Sequence, residues 1–115
     1  MVAYFVYNFF MNKSNIFAQI PKYLNEELFE ELVSKDGLKI ERIISKGHSS
    51  PKSGWYDQES NEWVIVLQGE AILSFENKQD VRLKNGDYIN IPAHTKHKVT
   101  WTIPNSETIW LAIHY

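Results

Sequence analysis

The chain has 115 residues, of which 43% are hydrophobic and 14% aromatic, enough apolar material for the core of one domain. The 12 basic and 14 acidic side chains give a formal charge of −2, which offers no electrostatic basis for binding nucleic acid or an anionic membrane. The absence of cysteine excludes disulfide bonds, thiolate metal sites and a thiol nucleophile, and we expect a cytoplasmic protein.

The first ten residues are apolar and aromatic, but a bilayer span takes about 20 apolar residues. They also lack the basic start and the cleavage site of a secretory signal. Met11 precedes a polar Asn-Lys-Ser and offers an alternative translation start. Two interpretations of residues 1–13 therefore stay open, an upstream extension or an extra edge strand that pairs between subunits. The domain itself is predicted to span residues 14–115.

One short amphipathic α-helix is predicted near the start of the domain, over about residues 26–35. Asn25 is a good N-cap, and Glu26 and Glu27 place negative charge at the positive end of the helix dipole. Apolar residues at positions 28, 29, 32 and 33 follow helical spacing. Gly37 suits the left-handed residue that ends a helix.

The chain after Gly37 is predicted to be all β. Short runs of β-branched and aromatic residues recur at intervals of roughly ten residues with turn residues between them, as in an antiparallel sandwich or barrel. Asn85-Gly86 predicts a tight hairpin turn. The predicted strands cover residues 38–45, 62–67, 71–75, 81–83, 87–91, 99–102 and 108–113.

The residues with potential chemistry lie beside these strands. His94 and His97 follow Pro92, which ends a strand because it has no amide hydrogen. A long irregular segment over residues 47–61 precedes Glu62, an acid at the head of a strand otherwise suited to full burial. Loops of this length in a compact domain are more often functional than idle.

These residues resemble two motifs of the cupin superfamily. Gly86, Pro92 and His97 match the second motif, in which His94 takes the place of a glycine and Trp101 that of an asparagine. Glu62 and Gly69 match the end of the first motif. The resemblance covers about residues 39–115 and implies an all-β double-stranded β-helix, or jelly-roll barrel, preceded here by the short helix.

The resemblance also implies a divalent metal inside the barrel. Family members hold it with two histidines and a glutamate of the first motif and a histidine of the second. The positions of the first two histidines fall on Trp55 and Asp57, or on Tyr56 and Gln58, so no histidine is present there. The implied ligands are therefore Glu62 and His97 with Asp57 or Gln58 as an oxygen donor, for iron, manganese, nickel or zinc.

Other side chains near these motifs are expected to form the pocket or its rim, namely His94, Tyr56, Trp55 and Trp101. His48 and His114 are expected to be incidental.

Three functional classes stay open. The first is a metal-dependent enzyme acting on a small organic molecule. The second is a non-catalytic domain that binds a small ligand, and the third is a metal-free barrel that serves dimerisation or contact with a partner. Family tendency and the aromatic first segment also predict a homodimer.

Overall fold

The computed structural model of the chain describes residues 11–115, which form eight strands in two antiparallel sheets. Five strands form the large sheet in the order β1-β2-β8-β3-β6, and three form the small sheet in the order β5-β4-β7. The all-β prediction is confirmed. The strands are β1 Leu28–Lys35, β2 Leu38–Ser45, β3 Glu62–Gln68, β4 Glu70–Phe75, β5 Val81–Lys84, β6 Tyr88–Ile91, β7 His97–Thr102 and β8 Thr108–His114.

The predicted domain over residues 14–115 lies within the described residues. Residues 1–10 of the predicted extension over 1–13 lie outside them, so its two interpretations stay open. Within residues 11–115 there is no helix long and apolar enough to cross a membrane.

The predicted helix over residues 26–35 is wrong, because most of this segment is strand β1. β1 pairs antiparallel with β2, with Lys35 opposite Leu38, so Asp36 and Gly37 form the turn of a hairpin. Gly37 has a φ of 76°, a left-handed value that is found both in tight hairpin turns and at the ends of helices. Paired apolar residues at helical spacing also fit a strand with a bulge, and the register of β1 shifts between positions 31 and 33.

The turn at Asn85-Gly86 is present, but it does not form the predicted hairpin. β5 before it belongs to the small sheet, and β6 after it belongs to the large sheet. The turn therefore leads the chain from one sheet to the other. Two hydrogen bonds to residues at or just after the end of β3 stabilise this turn. The Asn85 side-chain oxygen accepts from the Gly69 amide at 2.7 Å, and the Gly86 amide donates to the Val66 carbonyl at 2.7 Å.

The register of the large sheet places its inward-facing side chains in rows. β8 lies between β2 and β3, and alternate residues of each strand face the small sheet. At one end the row is apolar and forms the core with residues of the small sheet. At the other end it is charged. The apolar row is Ile43, Trp110 and Val66, and the charged row is Lys39, His114 and Glu62.

The long segment between β2 and β3 closes over the edge of the small sheet. Two isolated bridges tie it to β7, one between Ser50 and Val99 and one between Tyr56 and His97. In the second bridge the Tyr56 amide donates to the His97 carbonyl at 2.8 Å and the His97 amide donates to the Tyr56 carbonyl at 3.1 Å. These bonds place the Tyr56 and His97 side chains side by side, with ring centroids 5.7 Å apart.

Candidate functional site

A cavity of about 350 Å³ lies between the two sheets. One part of its wall is apolar, with Val64 and Trp110 from the large sheet and Leu73 and Val99 from the small sheet. The remaining wall is formed by polar residues. These are Glu27, Lys39, Glu41, Ser50, Tyr56, Gln58, Glu62, His97 and His114.

His97 and Glu62 form a buried pair in this cavity. His97 is 4% exposed, and its Nε2 lies 3.2 Å from Oε1 of Glu62. Nδ1 of His97 lies 2.7 Å from the carbonyl oxygen of Thr95, which can only accept, so Nδ1 bears a hydrogen. The contact between Nε2 and Oε1 then requires one further proton, held by either residue. The two side chains therefore share one proton between them.

The surroundings of His97 favour its protonated form. Burial lowers the pKa of His97, but the hydrogen bonds to Glu62 and to the Thr95 carbonyl, with the negative charge of Glu62, outweigh it and raise this pKa above its ordinary value. Tyr56 beside it stays protonated, because burial and the charges of three glutamates raise the pKa of its hydroxyl, against an opposing hydrogen bond with Ser50. The Tyr56 hydroxyl is therefore a hydrogen-bond donor beside the proton that His97 shares with Glu62.

The other residues of the predicted site divide between the cavity and the rim. Gln58 lines the cavity with Tyr56. Asp57 does not, because its Oδ1 lies 3.1 Å from Nδ1 of His94, and both side chains are largely exposed. His94 adopts a positive φ of 62° at the corner where a glycine would fit the motif.

The two tryptophans predicted for the pocket lie outside it. The Lys98 ammonium lies over the Trp55 ring, 4.3 Å from its centroid, and the Arg82 guanidinium carbon lies 5.4 Å from the centroid of the Trp101 ring. Both are cation–π contacts on the outer face of the small sheet or its edge. Trp110 is the tryptophan that lines the cavity.

A second histidine–glutamate pair faces the same cavity. His114 Nε2 lies 2.9 Å from Glu41 Oε1, and each residue is 8% exposed. The hydrogen bond from His114 lowers the pKa of Glu41 in spite of burial, with help from the charge of Lys39. Because His114 is the cross-strand partner of Glu62, the two pairs are neighbours. His114, expected to be incidental, is therefore part of the cavity wall.

Comparisons with known proteins agree with this architecture. The family model described as "Cupin domain" matches residues 42–114. A solved structure from Ralstonia eutropha, provisionally named a mannose-6-phosphate isomerase, shares 41% identity with a TM-score of 0.84, over 90% of this chain and 96% of that one. The chain belongs to the cupin family.

More distant cupins show the fold alone. A cupin superfamily protein from Desulfitobacterium hafniense is 24% identical, with a TM-score of 0.68 over 83% of this chain and 82% of that one. An RmlC-like cupin with a double-stranded β-helix fold from Methanocaldococcus jannaschii is 18% identical, with a TM-score of 0.67 over 84% of this chain and 85% of that one. The predicted double-stranded β-helix is confirmed. A search of curated protein sequences found no match.

The side chains of this cupin do not complete the metal site that the motifs imply. Glu62 and His97 present a carboxylate and an imidazole to one cavity, two donor types that divalent metals accept. Asp57, however, is bonded to His94 at the rim. Within residues 11–115, no group of three or more histidine, cysteine, aspartate or glutamate side chains is arranged to hold a metal ion.

Sequence reasoning missed Glu27, Glu41 and His114. The sequence pattern places Glu27 at the start of a helix. Its position in the cavity wall follows only once residues 28–35 are known to form strand β1. Glu41 had a usable signal, since Lys39, Glu41 and Ile43 alternate on one face of β2 and the last of these is apolar. His114 could be placed only from the register of β8 against β3.

The shared proton gives a titration that can be measured. In Glu62→Gln the charge is lost while burial remains, so we expect the pKa of His97 to fall below its wild-type value. Histidine resonances followed by NMR against pH report it directly. Asp57→Asn, which removes a carboxylate beside His94, is the control and should leave His97 unchanged.

The same titration predicts a stability change. A histidine with a raised pKa stabilises the fold fully below its unfolded value of about 6.5, and this stabilisation is lost as pH rises through the folded pKa. Urea unfolding at several pH values should show this loss in the wild type and a smaller one in Glu62→Gln. An unchanged His97 pKa in Glu62→Gln would show that the two side chains do not interact in solution.

Proposed function

We propose that this cupin binds a small organic molecule in the barrel cavity and transfers a proton on it. The observation that supports this most is the buried His97–Glu62 pair, which opens into a cavity of about 350 Å³ beside the Tyr56 side chain. Buried acid–base pairs in a pocket of mixed polarity are typical of catalytic and ligand-binding sites.

The chemistry best suited to these groups is proton transfer next to a carbonyl. With His97 protonated beside it, the Glu62 carboxylate takes the proton from one carbon and returns it to the neighbouring carbon or to the opposite face, so the net charge of the site is the same before and after the reaction. The protonated Tyr56 hydroxyl can donate a hydrogen bond to the carbonyl oxygen, where negative charge develops. The apolar wall around Val64 and Trp110 excludes water from the reacting carbon.

The name of the Ralstonia protein suggests a phosphorylated sugar, and the charge of this cavity argues against one. Three glutamates line it, at positions 27, 41 and 62. Lys39 is the one lysine among residues 11–115 that lines it, and Lys39 already pairs with Glu41, with Nζ and Oε2 3.9 Å apart. A phosphate dianion would therefore meet carboxylates without a free cation. The isomerisation of a compound without a phosphate group would use the same catalytic groups and would agree with the negative charge of the cavity wall.

A divalent metal is the second candidate for the site. The carbonyl of Thr95 fixes the hydrogen on Nδ1 of His97, which leaves Nε2 as the ring nitrogen facing the cavity, an arrangement common among metal-binding histidines. Glu62 and His97 would be the protein's ligands, with Gln58 as a further oxygen donor on the cavity wall. Bound there, a metal would polarise a substrate oxygen.

Hydrogen–deuterium exchange tests the proposal on many candidate substrates at once. A pool of small hydroxy and oxo compounds, including mannose and mannose 6-phosphate, is incubated with untagged protein in D₂O and analysed by NMR. We expect enzyme-dependent deuterium at a carbon next to a carbonyl. His97→Gln and Glu62→Gln should each reduce its rate by about 100-fold or more, the usual scale for a general acid–base group.

His94→Gln is the matched control, since His94 lies at the rim and should keep the wild-type rate. A parallel sample treated with chelator, with its metal content measured before and after, separates the two candidates. Exchange that survives chelation supports the pair alone, and exchange restored only by added metal supports the metal. Exchange on no compound, or at an undiminished rate in His97→Gln, would contradict the proposal and favour a non-catalytic ligand-binding domain.

We also propose a homodimer, while a cytoplasmic location stays a prediction. β1 is the edge strand of the large sheet, and Leu32 and Val33 near its end are 48% and 49% exposed. Phe17 and Tyr23 before it are 49% and 81% exposed. Exposed apolar groups beside the edge strand of the described sheet favour association with another chain.

Light scattering on the purified protein tests the dimer. We expect the mass of two chains, and Leu32→Lys/Val33→Lys should reduce it to one without unfolding the barrel. Tyr88→Lys, a substitution of an exposed aromatic on β6 at the other edge, should keep the dimer. A wild-type mass of one chain at all concentrations would exclude this interface.

A further inference from the structure

Glu27 is a cavity residue that neither motif of the family includes. It lies immediately before β1, and Leu28 beside it pairs with Ile44 of β2. Its Oε2 accepts a short hydrogen bond from the Ser45 hydroxyl. That hydroxyl in turn accepts from Trp110 Nε1 at 3.2 Å. Because an indole N–H can only donate, the direction of this chain of hydrogen bonds is fixed and the Ser45 hydrogen points at Glu27.

The other oxygen of this carboxylate, Oε1, is buried without a hydrogen-bond partner. It is the one buried side-chain nitrogen or oxygen atom of residues 11–115 in this condition. Natural proteins pair nearly all such atoms, because a buried polar atom without a partner is costly. Trp110 and Ser45 hold the carboxylate in place in spite of this cost. Because Glu27 lines the cavity, a ligand that enters beside it and donates a hydrogen bond to this oxygen would remove the cost.

The charges nearby indicate which donor the ligand should have. The cavity glutamates Glu41 and Glu62 each have a histidine partner, whereas no basic side chain of the described part of the chain forms an ion pair with Glu27. The adjacent Glu26 differs, because it lies outside the cavity and pairs with Lys52 at 3.7 Å. A buried carboxylate is stabilised most by a positive charge with N–H donors.

Glu27 and the His97–Glu62 pair line the same cavity. Glu27 is bonded to Ser45 at one end of β2, whereas Glu62 lies in the row of Lys39 at the other end of that strand. The charges of Glu27 and Glu62 both raise the pKa of the Tyr56 hydroxyl, so both carboxylates lie near Tyr56. A single small ligand can therefore contact Glu27 with one end and the pair with the other.

We propose that Glu27 anchors a positively charged amino group, so that the ligands of this cavity are small organic amines. This inference rests on the proposed function in placing the ligand in the same cavity, and it adds the chemical class. Glu27 is here a binding residue that determines specificity, and the reacting carbon lies away from it, near His97.

The test uses three probes of equal length, butan-1-amine, butan-1-ol and butanoate, at neutral pH where the amine is protonated. Their binding is measured from the backbone amide shifts of the labelled protein during titration. We expect the ammonium to bind the wild type at least about tenfold more tightly than the alcohol, and butanoate to bind least. Glu27→Gln keeps a partner for Ser45 but removes the charge, and should weaken ammonium binding at least about tenfold.

Glu26→Gln is the matched control, because it removes the same charge from the adjacent, exposed position and should bind like the wild type. Circular dichroism melting confirms that Glu27→Gln is folded. The order of the three probes on the wild type is a second criterion that needs no variant. Equal affinities for amine and alcohol, no binding of the amine, or an unchanged affinity in Glu27→Gln would overturn the inference.

The two proposals fail in distinguishable ways. His97→Gln should abolish deuterium exchange and retain ammonium binding, because His97 does not contact the anchor. Ammonium binding without exchange on any compound of the pool, with amino-substituted oxo compounds added to it, would contradict the proton-transfer function alone. Exchange confined to uncharged compounds, at the same rate in Glu27→Gln, would contradict the amine anchor alone.

Discussion

The cavity depends on the antiparallel register of β8 between β2 and β3. This register aligns Lys39, His114 and Glu62 across three strands at one end of the barrel, and it aligns Ile43, Trp110 and Val66 nearer the core. A shift of β8 by one residue would turn His114 and Trp110 to the other face of the sheet, away from the cavity. The inward-facing residues of these three strands therefore form the polar cavity towards one end of the barrel and the apolar core towards the other.

The polar end of the barrel costs stability. Two histidines and three glutamates face a cavity in which apolar residues would pack at no electrostatic cost. Four of the five are arranged in pairs, and the fifth, Glu27, has one oxygen without a partner. Such a concentration of ionisable groups in one cavity is expected where binding or chemistry requires it, and less so in a domain that serves only dimerisation.

The sequence predicts the strands well because their signal is local. Short β-branched runs and turn residues identify the all-β barrel, and motif spacing brings Glu62 and His97 together. The helix over residues 26–35 is wrong because an Asp-Gly pair serves a helix end and a hairpin turn equally, and only the pairing of β1 with β2 decides between them.

The same limit explains the residues of the site that sequence reasoning missed. The position of Asp57 depends on a contact with His94 across the rim, those of Glu41 and His114 on sheet register, and that of Glu27 on Ser45. None of these long-range contacts has a spacing signature in the chain.

The central claim is that the His97–Glu62 pair is kept for function and not for folding. The free energy of unfolding of Glu62→Leu/His97→Leu, compared with the two single variants by urea denaturation at neutral pH, tests it most directly. Each single substitution leaves a buried polar partner alone and should cost about 1–3 kcal/mol. If the pair is kept for function, we expect the double variant to recover this loss and to be at least as stable as either single variant. A double variant markedly less stable than both would show that the pair is part of what holds the barrel together.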